Sequence, residues 1–561
     1  MQATGRYGTG AWRPRLSGTA RTAVTGIVVV GLTLAVAAPA TAAAAGDKDP
    51  QFGSGGIATA DLGGAEAAQD VLVQADGKIV VAGSSGPDAA LVRYLPNGAL
   101  DPTFSGDGKQ RTNFGGPADV LTALVQQSDG KLVAVGTAGN RQQAVIARYT
   151  TAGVLDTTFS GDGWAIETAA AGRQVEPTGK DIVVQPDGSL AMAGSFYVSR
   201  WTSSGAQSAM LPTGGGFDGS EGFRRIGRLS TGEYVIAGAS DCNSAVVSKI
   251  TTAGALDLGF AARTGGFVGV QAVGLSVLSG DRILVVSDGW QSSECTRSPG
   301  VVLERYLPDG HHDATFGTAG AKVIDTSTWP TGAKGVPATG AAVMSDGRIV
   351  VVGQTWIARF TAAGTLDTTF SGDGIALLGS PVGAAVAVQP DADPVVGATA
   401  SGNFAAVRFL GTTSVTAYPT AVAISAGNGT ITGGTASSLA ANDRSFLTVA
   451  STTTGTRAAS WYGSFSNVPN SVAAISVSYS GKDSTTVTQT VDLWDYDAAA
   501  WVQLDRRSVG TTLVTVTATA GGTLGRFVSG TSGNGSMRLR VRGTATSDFT
   551  VSGDRTAVTY R

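Results

Sequence analysis

The chain has 561 residues, 42% of them hydrophobic, which is too long for one ordinary domain and apolar enough for packed cores. Charged residues make up 14% and the formal charge is −3, which excludes a disordered polyelectrolyte and argues against a nucleic-acid partner. Glycine reaches 80 residues, and without a collagen period that excess implies many tight turns and hence many short strands.

Residues 1–45 read as a secretory signal peptide. Arg6, Arg13, Arg15 and Arg21 precede the first acidic residue, Asp47. The apolar run from Ala23 to Ala38 is too short to span a bilayer comfortably. Ala40-Thr41-Ala42 then supplies a small-x-small cleavage pattern, with Ala45 as an alternative cut. The expectation is a secreted, extracellular chain with no membrane segment after cleavage. An uncleaved N-terminal anchor is the competing reading.

From Asp49 to residue 411 one unit recurs. Its landmark is Asp-x-x-Phe, at Asp49-Phe52, Asp101-Phe104, Asp156-Phe159, Asp257-Phe260, Asp313-Phe316 and Asp367-Phe370. Counting one eroded copy near Met210 to Phe217, the mean period is about 53 residues, within the range of propeller blades. Each unit opens with an apolar run such as Val120 to Gln127 and turns at a pair such as Asp76-Gly77, Asp129-Gly130, Asp187-Gly188 or Asp346-Gly347. Asp-Gly between apolar runs is a strong hairpin signal, because that turn needs positive φ. A KIVVAG-like strand follows, then a third strand ending in a cation: Arg93, Arg148, Arg200, Lys249, Arg305, Arg359 or Arg408. The landmark and a glycine turn lead to a short fourth strand, as at Gly108 to Thr112. Four strands without helical periodicity is the pattern of a propeller blade.

Seven hairpins and seven cations predict seven blades. The last unit stops at Phe409 without a fourth strand, while Gly56 to Ala60 stands alone at the start. The N-terminal strand is therefore expected to complete the last blade and close the ring. Beyond Gly411 the period stops and Thr and Ser rise. Eight alternating runs, from Phe446–Ala450 to Phe549–Val551, suggest a sandwich. The expected fold is all-β: a seven-bladed β-propeller over 46–411, then a jelly-roll-like β-sandwich accessory domain over 412–561.

The xxDGKIVVAG, ARY-x3-G and LD-x-TF-x-G-x-G elements resemble the delta-60 repeat family of bacterial secreted proteins, over residues 47–411. The resemblance implies a β-propeller and carries across no catalytic residues. The third unit departs by losing the landmark, and the fourth by losing the Asp-Gly turn.

Chemistry is thin in this sequence. Cys242 and Cys295 follow the second strands of neighbouring units and, in a secreted chain, are expected to form a disulfide. His311 and His312 replace Ala-Leu before a landmark and read as a solvated turn, too few for a triad or a zinc site. Ser-Gly-Asp-Gly at 105–108, 160–163 and 371–374 invites calcium. The equivalent turns at 53–56 and 317–320 drop the carboxylate, so turn geometry is the better reading and no metal or cofactor is expected. The cations stand eight residues before the landmark Asp where that survives, which favours an ion pair or a packed stem between blades over an open basic ring.

The fifth unit has the longest loop, Asp288 to Pro299, with Trp290 and Glu294, and the next loop on that face carries Trp329. These four residues are the candidate ligand site, able to stack a sugar and bond its hydroxyls. The competing reading is a disulfide-pinned loop whose tryptophans cover the blade. The expected function is a non-enzymatic interaction protein, working as a monomer on an extracellular glycan or protein. The alternative is a carbohydrate-active enzyme using Asp288 and Glu294, with the sandwich as targeting module.

Overall fold

Apolar, β-branched runs separated by glycine turns fold into short antiparallel sheets. The first joins Glu66–Val73, Ile79–Ser85, Asp88–Tyr94 and Lys109–Thr112 in chain order. The same four-strand meander recurs from Val120–Gln126, Asp181–Val184, Gly269–Val277 and Ala338–Val343, and three strands start at Gly222–Arg228. The last such sheet takes Val382–Val388, Pro394–Ala400 and Asn403–Arg408 from the end of the repeats and Ile57–Ala60 from their beginning. Ile57 pairs with Val407 and Ala60 with Phe404, so the expected closure by an N-terminal strand is present.

The computed structural model describes residues 41–139, 143–168, 178–194, 197–212, 222–239, 245–260, 269–291, 297–412, 414–425, 427–441, 444–470, 472, 474–531 and 533–560. Among the described residues helix is confined to short 3₁₀ turns such as Thr326–Thr328. The opening strand of each sheet lies against the opening strand of the next, and Val382–Val388 returns to Glu66–Val73. The apolar cores therefore lie between sheets. One unites Val80 and Leu91 of the first sheet, and Phe104 from the turn before its last strand, with Leu121, Leu132 and Tyr149 of the second. Leu132–Ala138 is buried at every position, as befits a strand covered on both faces.

Two units depart from the sequence expectation. In the third, Gln207–Pro212 pairs directly back on Tyr197–Trp201, so residues near the eroded landmark form the outer strand instead of a turn. Residues 213–221 lie outside the described residues. In the fifth, the described residues of the expected loop Asp288 to Pro299, 288–291 and 297–299, belong to two paired strands. Ile283–Gln291 and Arg297–Tyr306 pair Asp288 with Val301 and Trp290 with Ser298. Between these two pairs the register shifts by one residue, with the extra residue on the Ser298–Val301 arm, and pairing continues past the apolar run.

After Gly411 two sheets enclose one core of Trp461, Phe465, Tyr479, Leu493, Leu539 and Val551. Five strands form one sheet: Ala421–Ile424, Arg457–Pro469, Asn534–Ala545, Val487–Asp495 and Ala500–Val509. The other sheet has seven, including Ser414–Ala417, Ile475–Asp483, Val514–Thr519 and Thr550–Tyr560, with Thr41–Ala43 added at one edge. Residues 40–561 form one compact unit.

Candidate functional site

The repeated cations are built into the joints between sheets. Arg93 is buried, and its Nε donates to Asp101 Oδ2 at 2.8 Å. Its Nη2 donates to the Thr103 hydroxyl at 3.1 Å, and its Nη1 crosses to the carbonyl of Thr151 in the next unit at 2.7 Å. The Phe104 ring lies under the guanidinium, 4.5 Å from Cζ to centroid. Arg148 repeats this with Asp156, Thr158, Phe159 and the Ser203 carbonyl. Arg359 repeats it with Asp367, Thr369, Phe370 and the Gly411 carbonyl. Arg305 and Lys249 keep the carboxylate and the ring, at Asp313 and Phe316 and at Asp257 and Phe260. Arg408 finds its carboxylate and ring at the other end of the repeats, in Asp49 and Phe52.

Six of the seven cations thus meet a carboxylate, as their register implied, and Arg93, Arg148 and Arg359 also bond a carbonyl of the next unit. Asp101, Asp156, Asp257, Asp313 and Asp367 are stabilised as anions. Asp313 is held down to about 2, first by the Thr315 hydroxyl, against burial, then by the Thr315 amide and Arg305. Arg200 differs, having no carboxylate eight residues on. Its guanidinium lies 5.3 Å over Tyr234 and donates to the Thr252 carbonyl, while its Nε is buried without a hydrogen-bond partner.

Asp288 is buried on its strand, opposite Gln271 and Val301. The Trp290 backbone pairs with Gly269 and Ser298 on the same arm. Trp329 is 7% exposed and packs edge-on to Trp356, ring centroids 4.8 Å apart, so the protein interior takes up its ring. Glu294, Cys242 and Cys295 lie outside the described residues. The structure therefore brings Asp288 and Trp290 onto one hairpin arm and sets Trp329 in packed interior.

Residues 74–104, 127–159 and 345–370 match the family described as a domain of unknown function (DUF5122) beta-propeller. The chain carries a β-propeller repeat. No curated protein matches it. Among solved structures, virginiamycin B lyase from Staphylococcus aureus covers 63% of this chain and 98% of its own, at 12% identity and a TM-score of 0.41. The Pan2 WD40 domain of Neurospora crassa covers 62% and 90%, at 12% identity and 0.38. An exo-beta-1,3-galactanase from Phanerochaete chrysosporium covers 68% and 95%, at 11% identity and 0.24.

Charges on the innermost strands of the propeller escaped the sequence reading. Asp70, Asp181 and Arg225 occupy equivalent places, ahead of the turns at Asp76, Asp187 and Thr231. Asp70 Oδ2 accepts from the Leu124 amide of the next sheet at 2.7 Å, and Asp181 Oδ2 from the Ile226 amide at 3.0 Å. Asp70 keeps some contact with solvent while protein surrounds it. Burial pushes it up to about 7. The Val71 amide opposes this, Asp181 adds to it, and the Leu124 amide and Arg225 oppose it. The legible signal was a lone charge inside an apolar opening strand.

His312 also departs from expectation. It stacks on Tyr306, ring centroids 4.7 Å apart, with Nε2 3.4 Å from Glu304. Other units have Leu100, Leu155 or Leu366 at this place and Val92, Ala147 or Ala358 at that of Glu304. One polar pair has replaced an apolar one, and His311 alone is the exposed turn residue.

Proposed function

We propose that this protein is a secreted, non-enzymatic interaction protein that binds extracellular glycan or protein. Its scaffold is a seven-bladed propeller of delta-60-type repeats, joined to a jelly-roll-like sandwich over 412–561. The cyclic contact of opening strands, from Glu66–Val73 round to Val382–Val388, supports that blade count. The basic start, the apolar run and the Ala40-Thr41-Ala42 pattern support secretion. In that compartment Cys242 and Cys295 pair as a disulfide, and the chain works as a monomer without a cofactor.

The observation that carries the functional reading is how charge is used. Arg93 and Asp101, Arg148 and Asp156, Arg359 and Asp367, and Arg408 and Asp49 are bonded to each other and to neighbouring backbone. A catalytic acid or base must instead face a substrate in a cleft. The surfaces that the repeat leaves variable are the rim turns, the hairpin bearing Asp288 and Trp290, and the sandwich. A rigid scaffold carrying variable surface of this kind suits recognition.

The test is a pull-down of the full mature chain with cell walls and insoluble polysaccharides, with released sugar assayed in parallel. Binding without release supports an interaction protein. Release that disappears in Glu294→Gln would replace this reading with a hydrolase. No retention on walls or polysaccharides would remove the glycan and leave a protein partner.

A further inference from the structure

The sandwich is docked on the closing seam of the propeller. Gln51, next to Phe52, donates its Nε2 to the Thr559 hydroxyl at 2.6 Å and accepts at Oε1 from the Ser476 hydroxyl. Both hydroxyls belong to a row. Thr416, Thr559, Ser476 and Thr519 stand side by side on four adjacent strands of the seven-stranded sheet. Cross-strand neighbours share a face, so the row presents hydroxyls in line toward the propeller. Thr517, two residues before Thr519 and therefore on the same face, is exposed, as Thr519 is.

Facing this row is the rim of the Asp49–Arg408 seam, with Pro50, Asp76, Pro96, Asn97 and Pro390. Between the two walls lies a cleft of about 590 Å³. That is within the size range of small-ligand sites, which favour domain boundaries. The corresponding groove between the first and second sheets has Asp76, Lys78, Arg93 and Thr151 in its wall and takes no residue from the sandwich. At the closing seam, one of a set of similar grooves has gained a second wall.

The chemistry of that second wall is hydroxyl. Of the formal charges bordering the cleft, Arg408 is paired with Asp49 and Asp76 with Lys78, while Asp391 accepts from the Asp393 amide at 3.3 Å and adds a second carboxylate beside Asp76. An anionic polymer would find no free cation on Arg408, and its phosphates or carboxylates would meet the carboxylate of Asp76. Asn97, Thr517 and Thr519, exposed at the cleft, can each donate and accept. The proline rings offer apolar surface for the C–H faces of a sugar ring.

We propose that this cleft binds a short stretch of neutral polysaccharide. The proposal rests on the interaction reading above and gives it a place and a ligand class. Binding comes from matched hydroxyl and amide hydrogen bonds, so it is nearly independent of salt, unlike binding driven by exposed charge.

The experiment measures retention of the full mature chain on insoluble cellulose, chitin, β-1,3-glucan and mannan, and on acidic polygalacturonate, at low and at high salt. Three variants are compared with the wild type. Thr519→Arg and Asn97→Arg intrude from opposite walls at exposed positions, and Leu258→Arg, at a residue 86% exposed on the propeller, is the control. The expected result is salt-insensitive retention on one neutral polymer. It should weaken at least about tenfold in both wall variants and stay unchanged in Leu258→Arg, with melting temperatures equal throughout. Wild-type binding that both wall variants keep would overturn the cleft as the site while leaving a glycan-binding protein. Preferential, salt-sensitive binding to polygalacturonate would overturn the ligand class. No retention on any polymer would overturn the proposal together with the glycan reading beneath it.

Discussion

Asp49 and Arg408 lie 359 residues apart, yet Arg408 Nε donates to Asp49 Oδ2 at 2.9 Å. The geometry copies Arg93 and Asp101, which are eight residues apart. What differs is the work of the contact, because this pair fastens the beginning of the repeats to their end. Removing one partner of a buried pair leaves an uncompensated charge, at a cost of about 3–5 kcal/mol. Asp49→Asn and Asp101→Asn should therefore lower the melting temperature alike. Asp49→Asn alone should also release the closing strand Ile57–Ala60, which is held by four residue pairs. Limited proteolysis should then cut before residue 60 in Asp49→Asn and spare Asp101→Asn. Equal protection in both would show that the strand is held without the pair.

Stability should pass through a maximum in mild acid. Asp101, Asp156 and Asp367 sit below the usual carboxylate range in spite of burial, because the hydroxyl of the Thr two residues on, and then other donors and the paired cation, hold the anion. Lys249 does the same for Asp257. Such groups stabilise the fold above their unfolded pKa of about 3.9, and this is lost as pH falls through their folded values. Asp70 and Asp483 have the opposite sign, since burial pushes both up to about 7. Unfolding releases their protons between about pH 4 and 7, so stability declines as pH rises across that window. Asp483 is 1% exposed, with Oδ1 buried and without a hydrogen-bond partner. Asp483→Asn should flatten the decline on the alkaline side. A wild-type melting temperature that climbs steadily from pH 4 to 7 would contradict this account.

What could be read from the sequence was whatever the backbone demands of each repeat. Gly77, Gly130 and Gly347 have φ of +80, +85 and +86, and a turn with that need leaves a glycine in the sequence each time. The role of the cations was legible for the same reason, since a contact made in most units fixes a register. Features made in only one or two units left no such trace. Asp70 and Asp181 reach an amide of the next sheet, which a lone charge in a strand does not announce. His312 and Glu304 meet across neighbouring segments rather than along one. The pairing of Gln51 with Thr559 and Ser476 joins distant parts of the chain, so neither local pattern nor period could foretell it.

Three landmark rings, Phe104, Phe159 and Phe316, also set the space over Gly153, Gly205 and Gly364 of the next unit. A Cβ on Gly153 would lie 2.6 Å from the Phe104 ring, and Gly153 has φ +84. Leu211 takes the same position over Gly254 in the third unit, where the landmark is lost. Gly153→Ala should cost about 1–3 kcal/mol, from overpacking and from the left-handed backbone. Phe104→Leu should recover part of that loss in the double variant, since Leu is already accommodated at one seam. Thermal melting of both singles and the double decides this, and strict additivity would mean that the two residues do not share the contact.

The docked start of the chain distinguishes the two cleavage sites of the proposed signal peptide. Ala45 is 4% exposed, within a core that includes Ile357, Phe370 and Phe409. Its carbonyl accepts from the Ser371 amide at 2.6 Å, and the Gly46 amide donates to the Leu410 carbonyl at 2.8 Å. Asp47 adds a local clasp, its carboxylate accepting from the Ala44 amide at 2.8 Å while its own amide donates to the Ala44 carbonyl at 3.0 Å. Cleavage after Ala45 would strip the buried methyl, orphan the Ser371 amide and put a charged amine on Gly46. Cleavage after Ala42 removes Thr41 and Ala42 from the edge strand, but keeps all of these contacts and leaves the new amine one residue from the amide that donates to the Asp47 carboxylate. Under the proposed secretion, the mature chain should therefore begin at Ala43, as read by N-terminal sequencing or intact mass. A recombinant chain starting at Gly46 should be less stable than one starting at Ala43 by about 1–3 kcal/mol, the cost of leaving a buried donor unsatisfied. A secreted form starting at Gly46 and melting as high as the longer one would overturn the assignment.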